Sequence, residues 1–140
     1  MRSTHSHSVL STKNLAVGYG KAEKETVVSN INLNLQAGSF VTMVGINGSG
    51  KSTLLRTLAG LQEPLDGNIF LEGKPLENLD TETRSLKISV VLTGQVISKN
   101  LTVLELVSLG RQPYTNWLGK LTAEDKAEIQ SAITATALLT

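Results

Sequence analysis

The stretch that decides the fold is Gly45-Ile46-Asn47-Gly48-Ser49-Gly50-Lys51-Ser52, which satisfies the pattern G-x-x-x-x-G-K-[ST] at every fixed position. It follows residues 40–44, a short β-branched run typical of a buried strand. Residues 51–59 then predict an amphipathic helix. A strand, a glycine-rich turn and a helix in this order are the context in which the pattern cradles phosphate. The predicted helix carries its leucines on one face and stops at a glycine: Leu54, Leu55, Leu58 and Gly60.

The chemistry of phosphate explains each residue type in this loop. Phosphate oxygens are approached by successive backbone N–H groups, which requires glycines that reach unusual φ and ψ without a Cβ in the way. The following helix directs free N–H groups and its positive dipole end at the same anion. Lys51 adds a full positive charge for the β- and γ-phosphates, and Ser52 offers a hard oxygen to Mg²⁺. The alternative, a glycine-rich turn that binds nothing, does not explain why all these residues occur together.

Composition supports an ordinary globular chain. The 140 residues carry 13 Lys and Arg against 12 Asp and Glu, a formal net charge of +1, and 40% are hydrophobic. Near-neutral charge excludes a protein that binds nucleic acid by massed positive charge. The absence of cysteine excludes disulfides and thiolate chemistry. No apolar run approaches the roughly 18–20 residues needed to span a bilayer, and the polar N-terminus does not read as a signal peptide.

Alternating strands and helices indicate an α/β or α+β chain. Strands are predicted at residues 9–17, 26–36, 68–71 and 88–92. A short helix is predicted within 76–87. Thr102 is positioned to cap a helix that Gly110 closes, and Thr122 to open one from Ala123 that runs to the last residue.

Beyond the phosphate loop, the sequence resembles the nucleotide-binding subunits of ABC transporters. The resemblance is carried by the loop, by Leu54-Leu55-Arg56-Thr57-Leu58-Ala59-Gly60-Leu61 and by Glu63-Pro64-Leu65-Asp66-Gly67, and it covers nearly the whole chain. It implies an α/β P-loop NTPase of the ABC ATPase type, N-terminal part only: an antiparallel β-subdomain plus the start of the RecA-like core and of the helical subdomain. The implied organisation is a flexible N-terminus at 1–8, the β-subdomain and P-loop core at 9–92, and a Q-loop region with a partial helical subdomain at 93–140.

The resemblance also implies roles for individual residues. Tyr19 stands where the family stacks an aromatic ring on adenine, a contact that a tyrosine face can make. Lys51 is implied as catalytic and Ser52 as the Mg²⁺ ligand. The family's Mg²⁺-sensing glutamine is matched in position by Thr93, whereas Gln95 lies two residues later; either Gln95 takes the role through a shifted loop, or Thr93 and a water replace it. The implied ATP-binding residues are Tyr19, Gly45, Ile46, Asn47, Gly48, Ser49, Gly50, Lys51, Ser52 and Thr53.

The run from Leu109 to Tyr114 resembles the helical subdomain of ATPases that serve importers of iron–siderophores, haem and cobalamin. In that family this region meets the membrane-spanning permease, which makes Arg111, Tyr114 and Trp117 candidates for docking. The alternative is a loop whose aromatic residues pack beneath the helix.

Several parts of an ABC ATPase find no counterpart in this sequence. The family's Mg²⁺-binding aspartate follows four apolar residues, and none of Asp66, Asp80 and Asp125 does so. The signature loop has no match. The switch histidine has none either, because the two histidines are His5 and His7 at the N-terminus. We therefore expect the N-terminal part of a longer ATPase, one that binds ATP, hydrolyses it negligibly because the water-polarising carboxylate is absent, and exposes apolar surface.

The sequence as a whole thus predicts the ATP-binding subunit of an ABC importer for an iron–siderophore or haem, using ATP and Mg²⁺. Two copies are expected to dock on a permease at the cytoplasmic face of the membrane, with no nucleic acid partner. The alternative is a non-hydrolysing regulatory or assembly module that only binds nucleotide. A P-loop kinase is disfavoured, because Asn47 and Ser49 fit that class poorly.

Overall fold

A computed structural model of the chain describes residues 8–20, 23, 25–91, 101–115 and 120–136. It divides into two compact units, Met1–Arg84 and Ser85–Thr140. In the part of the chain that is described, no helix is long and apolar enough to cross a membrane.

The first unit is built around an antiparallel sheet of five strands, with the longest strand at its centre. Four strands follow one path in the order β2-β1-β4-β5, and the short β3 also pairs with β1. The strands are β1 (Ser8–Tyr19), β2 (Glu25–Ile31), β3 (Asn34–Gln36), β4 (Asp66–Leu71) and β5 (Lys74–Pro75). The predicted strands at 9–17 and 68–71 are confirmed.

The predicted single strand at 26–36 is two strands, because a side chain interrupts its pairing with β1. The Thr12 hydroxyl donates to the Ile31 carbonyl and accepts from the Leu33 amide, both at 2.9 Å. Thr12 also donates its own amide to the Leu33 carbonyl at 3.0 Å. The buried threonine of β1 thus satisfies the backbone at the break between β2 and β3.

Helix α1 (Lys51–Leu58) follows the phosphate loop, and its buried face is made of Thr53, Leu54, Thr57 and Leu58. The prediction that Leu55 shares the buried face is wrong, since 55% of this residue is exposed. Residues 54 and 58 are one turn apart, whereas residue 55 lies about 100° round the helix from residue 54. The predicted stop is confirmed: Gly60 has a positive φ of 71°, and its amide donates to the Thr57 carbonyl.

The predicted strands at 40–44 and 88–92 are not formed in the described residues. Phe40 is 93% exposed and Val91 is 98% exposed, and residues 40–44 and 88–91 have no strand assignment; Leu92 lies outside the described residues. A buried parallel strand requires hydrogen-bonded neighbours on both sides. No strand among the described residues pairs with either segment, which leaves the expected apolar surface exposed at residues 40–44.

Helix α2 (Thr81–Lys87) is preceded by a 3₁₀ turn at Leu76–Asn78, within the segment where a short helix was expected. In the second unit, α3 (Val103–Ser108) and α4 (Ala123–Ala135) both begin with capping boxes, on Thr102 with Glu105 and on Thr122 with Asp125. Gly110 does not close α3, because a 3₁₀ helix continues from Leu109 to Tyr114. Helix α4 ends at Ala135 rather than at the last residue, and residues 137–140 lie outside the described part.

Candidate nucleotide site

The phosphate loop leads directly into the first turn of α1. The Ser49 amide donates to the Ile46 carbonyl at 3.3 Å, which closes a turn, and the Leu54 amide donates to the Gly50 carbonyl at 2.8 Å, which begins the helix. Residues 45–49 are exposed to solvent. The N-terminal end of α1, with its positive dipole, therefore faces an open, turn-shaped segment of backbone.

Two glycines give the loop its shape. Gly48 has a φ of +83° and Gly50 a φ of +86°, in the left-handed region that side-chain-bearing residues rarely adopt. A Cβ added to Gly50 would lie 2.6 Å from Cγ1 of Val27 and 2.9 Å from Cγ2 of Val28, whereas a Cβ added to Gly48 would meet nothing within 4 Å. Gly50 is thus required for conformation and for close packing against β2, and Gly48 for conformation alone.

The side chain of Lys51 folds back over the loop. Its Nζ donates to the carbonyl oxygens of Gly45 and Ile46, each at 2.7 Å. This arrangement holds the ammonium group at the mouth of the loop, where a phosphate would also need a cation. The sequence predicted a lysine ammonium at this position, and the structure adds the two carbonyl groups that bind it.

The two residues after Lys51 face in different directions. Ser52 is exposed, so its hydroxyl is accessible to a metal ion in the solvent, whereas Thr53 is 4% exposed and lies beneath the loop. The hydroxyl of Tyr19, at the end of β1, is 2.8 Å from Oγ1 of Thr53. Tyr19 is nevertheless 50% exposed. The structure therefore brings Tyr19 to the first turn of α1, beside the predicted phosphate site, with part of its surface available to a ligand.

A cavity of about 380 Å³ adjoins Tyr19. Its wall is braced by two hydrogen bonds, from Nε2 of Gln62 to the Gly18 carbonyl at 2.5 Å and from the Leu65 amide to the Ala16 carbonyl at 2.8 Å. Gln62 was not predicted as part of the site. It lies within the Gly-Leu-x-x-Pro run that carried the family resemblance, and that run could have indicated it. The cavity is lined by Gly18, Tyr19, Gly20, Gln62, Glu63, Pro64 and Leu65.

The remaining predicted residues are divided between described and undescribed parts of the chain. Thr93, Gln95 and Trp117 lie outside the described residues. In the second unit, the Arg111 guanidinium contacts the nearly buried Asp125, with Nε and Nη2 each 2.8 Å from Oδ1, and it stacks 4.1 Å from the centre of the Tyr114 ring. Arg111 is thus engaged within its own unit, while Tyr114 remains exposed.

The environment of Asp125 stabilises its ionised form. Hydrogen bonds from the backbone and then the side chain of Thr122, followed by the hydrogen bond from Arg111, lower the pKa of this carboxyl below its ordinary value. Asp125 therefore serves as a cap for α4 and as an anchor for Arg111. Within the described residues, no group of three or more histidine, aspartate or glutamate side chains is arranged to hold a metal ion.

Comparison with known proteins bears on this site. The family model described as ABC transporter matches residues 28–139. The probable siderophore transport system ATP-binding protein YusV of Bacillus subtilis is 38% identical over 94% of this chain and 46% of its own length. The ferric enterobactin transport ATP-binding protein FepC of Escherichia coli is 33% identical over 96% of this chain and 49% of its own. The chain thus spans about half the length of these curated relatives.

Solved structures show the same fold. The dimeric structure of MJ0796, a bacterial ABC transporter cassette, aligns with a TM-score of 0.76 at 29% identity, covering 94% of this chain and 58% of that one. A post-hydrolysis state of that cassette, bound to ADP and Pi, aligns with a TM-score of 0.73 at 27% identity over 89% of this chain and 56% of that one. Taken with the open loop at the start of α1, these matches establish that the chain belongs to the ABC transporter family, with the ABC ATPase fold, and that it is similar to the ATP-binding subunits of siderophore importers.

Proposed function

We propose that this chain is the nucleotide-binding part of the ATP-hydrolysing subunit of an ABC importer whose cargo is an iron–siderophore or haem. The observation that carries the proposal is the open loop ahead of α1, with the Lys51 ammonium held at its mouth and Tyr19 beside it. The import systems named for YusV and FepC carry siderophore cargo, which supports that cargo class over haem.

In this proposal the loop binds the triphosphate of ATP. The backbone of residues 45–50 and the N-terminal end of α1 surround the phosphates, and Lys51 exchanges its two carbonyl partners for phosphate oxygens. The Tyr19 ring, half of whose residue surface is exposed, covers the adenine ring. The exposed hydroxyl of Ser52 fits a Mg²⁺ ion, which prefers oxygen ligands and, when bound, neutralises charge between the phosphates.

We further propose that this chain alone turns ATP over negligibly. Its aspartates serve local structure: Asp66 accepts from the Gly67 amide at 2.8 Å, Asp80 from the Thr83 amide at 2.7 Å and from its hydroxyl, and Asp125 from Thr122. Phosphoryl transfer to water needs a carboxylate or an equivalent group that orients the attacking water. Gln95 or Thr93 is proposed to sense Mg²⁺ in the intact protein, and neither group is a general base.

The proposed assembly is a pair of ATPase subunits docked on two membrane-spanning permease subunits at the cytoplasmic face of the membrane. The dimeric form of the MJ0796 cassette supports the pairing. Docking is proposed through the region of Arg111, Tyr114 and Trp117. Of these three residues, Tyr114 is described by the structure and is exposed, so it is available to contact a permease. Because Arg111 is bonded to Asp125, its contribution is to hold Tyr114 in place.

Calorimetric titration of the 140-residue chain with Mg-ATP tests the binding half of the proposal. We expect saturable binding that Lys51→Ala weakens by about 10- to 100-fold, because hydrogen bonds to charged groups contribute about 1.5–3 kcal/mol each. Lys13→Ala, which removes an exposed lysine from β1, is the matched control and should leave the affinity unchanged. No binding by the unaltered chain, or equal losses in the two variants, would contradict the proposal.

Two further measurements test hydrolysis and cargo. Phosphate release by the chain should not exceed the background of Lys51→Ala, and steady release that this substitution abolishes would refute the claim of negligible turnover. For cargo, cells lacking the gene should fail to grow on a ferric siderophore as sole iron source while growing normally on inorganic iron. Growth that is lost on haem instead would assign the other cargo, and growth on both would contradict an iron-importer function.

A further inference from the structure

The hydroxyls of Tyr19 and Thr53 join the end of β1 to the first turn of α1. Their oxygens are 2.8 Å apart, and the two residues are 34 positions apart in the chain. Thr53 is 4% exposed, so its hydroxyl is held at a fixed position on the buried side of the helix. A tyrosine at a strand end that is half exposed would otherwise be free to change its rotamer.

We propose that Thr53 is a positioning residue for the nucleotide base: its hydroxyl holds the Tyr19 ring at a fixed distance from the phosphate loop. This inference rests on the proposed ATP-binding function, in which Tyr19 covers adenine and the loop binds the triphosphate. It gives the threonine that follows the proposed Mg²⁺-binding serine a role in positioning the base.

The geometry explains why such a restraint is useful. In ATP the base and the phosphates are joined covalently through the ribose, so the base platform and the phosphate cradle must be correctly spaced at the same time. Tyr19 belongs to β1 and the cradle belongs to the start of α1, and the hydrogen bond connects these two elements directly. Fixing the ring before the nucleotide arrives removes the entropic cost of ordering that side chain on binding.

The restraint also leaves the stacking surface accessible. The hydrogen bond to Thr53 occupies only the hydroxyl at the tip of the ring, and half of the residue is exposed and available for a stacking contact. Thr53 is itself fixed to α1, since its carbonyl accepts a hydrogen bond of 2.9 Å from the buried Thr57 hydroxyl. The Tyr19 ring is therefore held in place relative to α1, the helix whose N-terminal end faces the proposed phosphate site.

The test compares two ligands that share phosphates but differ in the base. Affinities for Mg-ATP and for magnesium tripolyphosphate are measured by calorimetry for the 140-residue chain and for Tyr19→Phe, Thr53→Val, the double variant, Thr53→Ser and Thr134→Val. Thr53→Val keeps the shape of the side chain and removes the hydroxyl, and Thr53→Ser restores a hydroxyl. Thr134→Val makes the same change on α4, where the hydroxyl bonds only its own helix at the Gln130 carbonyl.

We expect Tyr19→Phe and Thr53→Val each to weaken Mg-ATP binding by about two- to tenfold, the range that one hydrogen bond contributes. Tripolyphosphate affinity should fall less than Mg-ATP affinity in both. The double variant should be no weaker than either single variant, because both remove the same bond. Thr53→Ser should regain most of the Mg-ATP affinity, and Thr134→Val should match the unaltered chain.

Three results would overturn the proposal. Equal losses for Mg-ATP and tripolyphosphate would show that Thr53 acts on the loop and not on the base. Additive losses in the double variant would show that the two hydroxyls act independently, and unchanged Mg-ATP affinity in both single variants would show that the bond has no role in binding. Failure of the unaltered chain to bind tripolyphosphate or Mg-ATP would instead contradict the proposed function itself, so the two failures are distinguishable.

Discussion

Replacing Gly50 by alanine should destabilise the first unit much more than the same replacement at Gly48. Both glycines have nearly equal positive φ angles, +86° and +83°, so the backbone cost of alanine is the same at the two positions. They differ in their surroundings. The added methyl group at residue 50 would overlap Val27 and Val28 of β2, and the one at residue 48 would project into open space.

The expected magnitudes follow from these two contributions. A left-handed alanine costs roughly 1–2 kcal/mol, and the more restricted unfolded chain returns about 0.4–1 kcal/mol. Gly48→Ala should therefore cost about 1 kcal/mol. Gly50→Ala adds the overpacking at 2.6 Å and 2.9 Å, which typically costs about 1–3 kcal/mol. At about 4–8 °C of Tm per kcal/mol for a domain of 60–100 residues, we expect a drop near 5 °C for Gly48→Ala and of about 10 °C or more for Gly50→Ala.

Thermal unfolding followed by circular dichroism measures both drops, and a double variant isolates the overlap. Val27→Ala removes Cγ1, the atom nearest to the added methyl group. In the Gly50→Ala, Val27→Ala double variant the two costs should therefore be less than additive by about 1 kcal/mol, as expected for residues in contact. Equal drops for the two glycine variants, or strictly additive costs in the double variant, would refute the reasoning.

Three further predictions concern packing, capping and pH. Leu58→Ala should cost about 2–5 kcal/mol, because it leaves a cavity beneath α1, whereas the exposed Leu55→Ala should change the free energy of unfolding by less than about 0.5 kcal/mol; urea titration checks both, and equal costs would contradict the assigned face. Thr102→Ala should cost about 1 kcal/mol by removing the cap of α3, again by urea titration, with no change as the contradicting result. Since the hydrogen bonds from Thr122, and then the one from Arg111, lower the pKa of Asp125, the ionised carboxylate stabilises the fold above its unfolded pKa, and this stabilisation is lost as the pH falls through its folded pKa. The difference in Tm between the unaltered chain and Asp125→Asn should thus be largest near neutral pH and shrink as the pH is lowered; a difference that grows as the pH falls would contradict this assignment.

The parts of the fold that could be predicted from the sequence are those whose signals are local. The alternation in β1, the turn residues ahead of β4, the positive-φ glycine that ends α1 and the threonine caps of α3 and α4 each depend on residues within a few positions. The turn at 45–50 and the start of α1 belong to the same class, because the pattern that predicts them is contained within eight positions.

The parts that could not be predicted depend on partners distant in the chain. Residues 40–44 have the composition of a buried strand, yet strand formation requires neighbours that the pattern does not contain. The break between β2 and β3 depends on Thr12, and the placement of Tyr19 depends on Thr53. No local pattern in residues 9–20 indicates either contact.

Under the proposed function, the two hydrogen bonds from Lys51 to the Gly45 and Ile46 carbonyls make phosphate binding in part an exchange of hydrogen-bond partners. These carbonyls engage two of the three N–H donors of the ammonium group, so a phosphate that makes more than one hydrogen bond to Lys51 competes with the protein's own oxygens. The free energy of phosphate binding then reflects the difference between the bonds of Lys51 to phosphate and its bonds to the two carbonyls. Under the proposed function, a loop built in this way would bind phosphate less tightly than the number of its contacts suggests, which favours release of the nucleotide.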